Sequence, residues 1–144
     1  MRNTLFGAIA FAAMFVGSAA HAATMTVYKS PSCGCCAKWV EHVEQHGFTV
    51  RTVPTEDMMA IKKKLGVPGE AMSCHTTKVG GYIVEGHVPA ADIKRLLREK
   101  PKARGIAVAG MPVGSPGMEH GDHRQPYATV LIQHDGTTKV FARH

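Results

Sequence analysis

The chemistry open to this chain sits in four cysteines, three of them packed into Cys33-Gly34-Cys35-Cys36 and the fourth, Cys74, 38 residues beyond Cys36. Cys33 and Cys36 have the C-x-x-C spacing of redox dithiols, in which one sulfur attacks and the other resolves. Cys35 lies between them and makes the pattern C-x-C-C as well. A dithiol centre has no use for a third thiolate, which invites scrambling. A metal centre does. An even cysteine count in an exported chain ordinarily signals structural disulfides, and four cysteines allow three pairings. Closing so short a loop restrains the unfolded chain little, and adjacent Cys35 and Cys36 would bridge only with strain.

Ligand softness narrows the metal. Thiolates and thioethers select Cu(I), zinc or iron-sulfur clusters. Structural zinc takes two well-spaced pairs, or cysteine with histidine, around one tetrahedron. Sulfurs this crowded suit bridging of several Cu(I) ions better than one closed tetrahedron. Met111 and Met118 add thioethers that favour copper and offer zinc nothing.

Cys74, in Ser73-Cys74-His75-Thr76, completes a four-sulfur site if the fold brings it near; alone it reads equally as a small buried hydrophobe. His75 is a candidate ligand, or points the other way. His120 and His123, three apart beside Met118, are candidates to ligate or guard the site. His42 and His46, at i and i+4, read as a helical metal pair or, more simply, as a solvated helix face. Met58 falls at helical spacing with Ile61 and Leu65 and reads as core. Met72 is lining or core. Trp39 reads as packing, and His144 as a mobile end. The chain holds no GxSxG, Walker loop or HExxH.

Several elements must position these residues. Thr26-Val27-Tyr28 is β-prone and ends at Ser30-Pro31-Ser32, a turn and cap signal. A helix follows, with Cys36, Val40 and Val43 on one face, and Gly47 stops it. Phe48 to Val53 alternates as a second strand, giving a parallel βαβ unit. Thr55 is placed to cap a second helix, with Met58, Ile61 and Leu65 inward and Lys62-Lys63-Lys64 facing water. Two strands flank Gly80-Gly81, a two-residue hairpin signal. Pro89 opens a third helix with Ile93, Leu96 and Leu97 as its stripe. The fold class is therefore α/β, in the thioredoxin order β-α-β-α-β-β-α, with the thiols where the first strand meets the first helix. Gly105 to Pro126 carries five glycines and three prolines in 22 residues, with little periodicity. A hairpin around Asp135-Gly136 follows it, which argues that this loop is pinned back on the domain.

Residues 1–22 read as an export signal. Arg2 precedes an apolar run from Leu5 to Val16, and Ala20-His21-Ala22 is a small-x-small cleavage pattern. Twelve apolar residues are too few for a bilayer, which needs about 20. The expected organisation is a thioredoxin-like domain at 23–104 and an extension at 105–144 packed on it. Removal of Arg2 takes the formal charge from +6 to +5. The basic residues form no stripe with interleaved aromatics, so no nucleic-acid footprint is read.

The Cys33-Gly34-Cys35-Cys36 motif, the Ser73-Cys74-His75-Thr76 segment and the block Gly110-Met111-Pro112-Val113-Gly114-Ser115-Pro116-Gly117-Met118-Glu119 together resemble the CopG-type periplasmic copper-resistance family. The resemblance implies a thioredoxin-like domain whose C-terminal extension helps bind metal. It implies a cysteine-bridged multi-copper cluster with Cys33, Cys35, Cys36 and Cys74 as ligands, and a role in interconverting Cu(I) and Cu(II) during copper detoxification. Partners are then copper ions and a copper efflux system or periplasmic copper chaperone. Two rivals stand beside this reading: a metal-free thiol-disulfide oxidoreductase using Cys33 and Cys36, and an exported binding module stapled by two disulfides.

Overall fold

A computed structural model describes residues 23–144; the export signal read at residues 1–22 lies outside the described residues. The chain begins with strand β1 (Thr24–Lys29), helix α1 (Gly34–Gln45) and strand β2 (Thr49–Pro54). In β1 the alternation of the sequence puts Met25 and Val27 wholly inside. β1 and β2 pair in parallel, as the intervening helix requires. The buried face of α1 is Cys36, Trp39 and Val43, with Val40 only half-buried. Trp39 thus takes the place expected of Val40. Its indole N–H donates to the Val88 carbonyl at 2.9 Å, so the largest core side chain is also satisfied.

Helix α2 (Met58–Leu65) is capped by Asp57, whose carboxylate accepts from the Ala60 N–H at 2.9 Å; Thr55, the expected cap, lies two residues too early. Lys62, expected in water with Lys63 and Lys64, is 3% exposed. Its ammonium reaches the Glu85 carboxylate at 2.5 Å and the Thr76 hydroxyl at 3.1 Å. Lys62 stands at i+4 from Met58, within the stripe formed with Ile61 and Leu65, and helix geometry carries it inward whatever its charge.

Strands β3 (Thr76–Val79) and β4 (Tyr82–Glu85) form the expected hairpin. Gly80 and Gly81 both have positive φ, at 55° and 83°, as a tight two-residue turn demands. Helix α3 (Ala90–Glu99) follows Pro89 and buries Ile93 and Leu96 completely. Each such side chain stabilises the fold by about 1.5–3 kcal/mol.

The stretch read as irregular opens with a three-residue strand, β5 (Gly105–Ala107), which pairs in parallel with β4. β6 (Ala128–Ile132) and β7 (Thr138–Arg143) are the closing hairpin. One mixed sheet results, in the order β2-β1-β3-β4-β5-β6-β7. The loop from β5 to β6 is tied down by the Gly110 N–H on Met72 O at 3.0 Å and closed on itself by the Gln125 N–H on Val113 O at 2.9 Å. His144, expected to be mobile, is held by its backbone N–H on Tyr127 O and by its ring at 2.8 Å from the buried Asp92 carboxylate. No described helix is long and apolar enough to cross a membrane.

Candidate metal centre

The first turn of α1 carries three of the sulfurs. Cys33 is its N-cap, and the Cys36 N–H donates to Cys33 Sγ at 3.4 Å. The positive end of the helix dipole and the free N–H groups there face the three sulfur positions. Cys36 points into the core and is fully buried; Cys33 and Cys35 are half-exposed. Cys74 lies just before β3, which pairs with β1, and the sheet thereby returns it to the start of α1. The four sulfurs all fall within 4.8 Å of one another.

Their bonding is not uniform. Cys33 and Cys36 are joined by a disulfide, while Cys35 and Cys74 are free. Cys35 Sγ lies 3.5 Å from Cys33 Sγ. Burial, with the neighbouring Cys35 next in effect, pushes the Cys74 thiol up to about 11, so it stays protonated at neutral pH when no metal is bound.

Two imidazoles flank Cys74. His87 Nε2 is 3.0 Å from Cys74 Sγ and His75 Nδ1 is 3.2 Å from it, and these three side chains form a second group within metal-sharing distance. His87 Nδ1 lies 2.7 Å from the Pro116 carbonyl. A carbonyl only accepts, so Nδ1 carries the proton and the neutral ring turns a bare Nε2 toward the sulfur. Burial lowers the pKa of His87, with the Pro116 bond opposing, and lowers that of fully buried His75 well below the ordinary range. Both rings are neutral at pH 7. His75 packs between Trp39 and His87, with ring centroids 4.5 and 5.0 Å away, and its Nε2 has no partner.

The glycine-rich loop closes over this corner. At Gly117, φ is 85°, and a Cβ there would stand 2.8 Å from Cys35 O, 2.9 Å from Trp39 N and 3.2 Å from His87 Nδ1. Only glycine lets the loop backbone lie so close to the helix start. The Glu119 carboxylate accepts from the Gly117 N–H at 3.1 Å and holds the turn. Ser73 donates its hydroxyl to Gly110 O, joining the Cys74 segment to the same loop.

Of the residues singled out in the sequence, the fold gathers Cys33, Cys35, Cys36, Cys74 and His75. Met118 is half-buried in the loop turn, and Met111 is 51% exposed at its start. His120 and His123 face each other on the exposed loop tip, ring centroids 6.1 Å apart, and belong to neither group. His42 is engaged elsewhere, its Nε2 accepting from the Ala90 N–H at 3.1 Å, and His46 sits on His42 O. His87 escaped the sequence reading. Its signal was Gly86-His87-Val88-Pro89, a histidine held in a short turn between a strand and a helix.

Fold and site together define a mixed α/β protein with a thiol-rich centre able to hold metal. Two solved structures are similar to it throughout. One, named "Copper resistance protein copG- Form 2", is 46% identical, with a TM-score of 0.82, covering 85% of this chain and 98% of that one. The other, "Copper resistance protein copG- Form 1", is 47% identical, with a TM-score of 0.80, covering 84% and 96%. Residues 71–118, from just before Cys74 through Met118, match a family described as "Protein of unknown function, DUF411". No curated protein sequence matches the chain. The chain belongs to the CopG copper-resistance family.

Proposed function

We propose that this is an exported, periplasmic copper-binding protein whose cysteines bridge several copper ions, interconverting Cu(I) and Cu(II) in copper resistance. The observation that carries the reading is the convergence of four sulfurs within 4.8 Å from two distant stretches of chain. The donor set fits a soft ion. Thiolates and a bare imidazole nitrogen suit Cu(I), and sulfurs so close have room to share ions rather than enclose one. In this reading residues 23–104 are a thioredoxin-like domain, 105–144 its extension, and 1–22 a removed export signal. Cys33, Cys35, Cys36 and Cys74 are the ligands, with His87 and His75 beside them and Met118, Met111, His120 and His123 as outer donors on the loop. A copper efflux system or copper chaperone is the partner that delivers or receives the ion.

The protein's part is mainly to preset donors. The start of α1 gathers three sulfurs, the Pro116 carbonyl orients His87, and the loop backbone narrows access for water. Reduced protein loaded anaerobically with Cu(I) should retain more than one copper per chain, and Cys35→Ser should lower that number. Retention of less than one copper, or an unchanged count in Cys35→Ser, overturns the reading.

The Cys33–Cys36 disulfide supports a second reading, a metal-free thiol-disulfide oxidoreductase. It predicts that metal-stripped protein reduces a disulfide substrate at a rate abolished by Cys33→Ser. Negligible turnover by stripped protein removes it.

A further inference from the structure

The disulfide divides the four cysteines into two pairs with different capacities. Cys33 and Cys36 hold an exchangeable pair of electrons, and Cys35 and Cys74 remain thiols while those two are joined. Oxidation of the first pair therefore does not empty the site of soft donors. Cys35 and Cys74 stay within 4.8 Å of each other, and Cys74 keeps His87 Nε2 at 3.0 Å.

We infer that Cys33 and Cys36 are the electron source for reducing Cu(II), and that Cys35, Cys74 and His87 form the subsite that retains Cu(I) afterwards. The inference rests on the copper-binding reading and supplies it with an electron donor. Two Cu(II) ions each take one electron. The Cys33 and Cys36 thiols lose two electrons and two protons, and the Cys33–Cys36 S–S bond forms. The products are two Cu(I) ions, two protons and one disulfide. A thiol reductant must reopen that bond before a second round.

Burial orders the events. Cu(II) arriving from solvent meets half-exposed Cys33 and Cys35, whereas Cys36 is fully buried and acts as the resolving sulfur. The retaining subsite is built before any ion arrives. Pro116 O fixes the His87 tautomer, the Trp39 indole holds the Val88 carbonyl next to it, and Gly117 lies against the His87 ring and the α1 backbone at Cys35 and Trp39. A metal-ligating imidazole commonly needs such a partner on its other nitrogen.

The test has two arms, run on the protein without oxygen. First, fully reduced protein is titrated with Cu(II) sulfate and then denatured. Cu(I) is counted with bathocuproine disulfonate, thiols with a thiol reagent, and the bond located by peptide mapping. The expected result is two Cu(I) per chain, a fall from four thiols to two, and a bond between Cys33 and Cys36. A bond that includes Cys35 or Cys74, or an undiminished Cu(I) yield from Cys36→Ser, overturns the inference.

Second, protein with the Cys33–Cys36 disulfide already formed is titrated with Cu(I) against a chelator. One ion should be retained, and His87→Gln should weaken it by at least the ~10–100-fold that loss of even an outer-shell partner causes. No retention, or an unaltered affinity in His87→Gln, overturns the subsite. The two readings separate cleanly. Reduced protein that binds several Cu(I) but fails either arm keeps the proposed function and loses this inference, whereas failure to bind Cu(I) when fully reduced removes the proposed function itself.

Discussion

An imidazole has two nitrogens, and at His87 a backbone carbonyl decides which of them is free. The same logic makes neighbouring residues pH-sensitive. His75 is charged in the unfolded chain below about pH 6.5 but excluded from charging in the fold by burial. The unfolded state then binds the extra proton, so stability is complete above that pH and falls as the pH drops through it. Cys74 acts in the opposite sense. Its thiol is raised from 9.0 to about 11, so its contribution is complete below 9 and is lost as the pH climbs through that interval. The urea midpoint of metal-free, disulfide-intact protein should therefore be highest between about pH 6.5 and 9 and decline on both sides. A midpoint that is flat from pH 7 to 5 contradicts a neutral, buried His75. Gly117→Ala is the steric counterpart, since its Cβ would meet Cys35 O and Trp39 N below 3.0 Å. It should destabilise the protein by about 1–3 kcal/mol and weaken copper retention as well. An unchanged denaturation midpoint would show that the loop is not seated on α1. At this scale the cysteines were legible because spacing alone announces them. His87 was not, because nothing local says that a lone histidine will meet a sulfur 13 residues earlier in the chain.

Helix α2 shows the limit of reading elements by residue type. Met58, Ile61 and Leu65, read as its buried side, are only half-buried; the buried residue of this helix is Lys62, although three lysines in a row pointed to water. Its partner, Glu85, comes from β4 and accepts also from the Ser73 N–H at 2.8 Å and the Thr76 hydroxyl at 2.6 Å. The pair thus anchors the segment that delivers Cys74. Lys62→Met leaves a buried carboxylate without its cation and should cost about 3–5 kcal/mol in chemical denaturation. Adding Glu85→Gln, which removes the stranded charge, should recover part of that loss. A cost below about 1 kcal/mol for Lys62→Met would mean that water reaches Glu85. The cap of α2 is a smaller lesson. Thr55 and Asp57 are both good N-cap types, and only the Asp57 bond to Ala60 chooses between them.

Across the whole molecule, hairpins and the parallel β1–β2 unit followed from local patterns, whereas strand neighbours did not. β5 is three residues long, too short for periodicity to mark, and its place between β4 and β6 is set by long-range pairing. That pairing fixes where the loop after β5 starts, and so carries Pro116 and Gly117 to the start of α1. Thiols, His87 and loop form one contiguous corner of the fold. Copper loading of reduced protein should accordingly slow amide exchange at residues 33–36, 72–76, 86–88 and 114–118 together, leaving β7 unaffected. Protection confined to 33–36 would show that the loop and Cys74 stand apart from the bound ions.

X-ray absorption at the copper edge reads directly which atoms hold copper. Reduced protein loaded anaerobically with Cu(I) should show coordination dominated by sulfur, with a minor nitrogen contribution and a copper–copper vector from shared thiolates. A spectrum dominated by nitrogen and oxygen, with no copper–copper scattering, contradicts a centre built on Cys33, Cys35, Cys36 and Cys74.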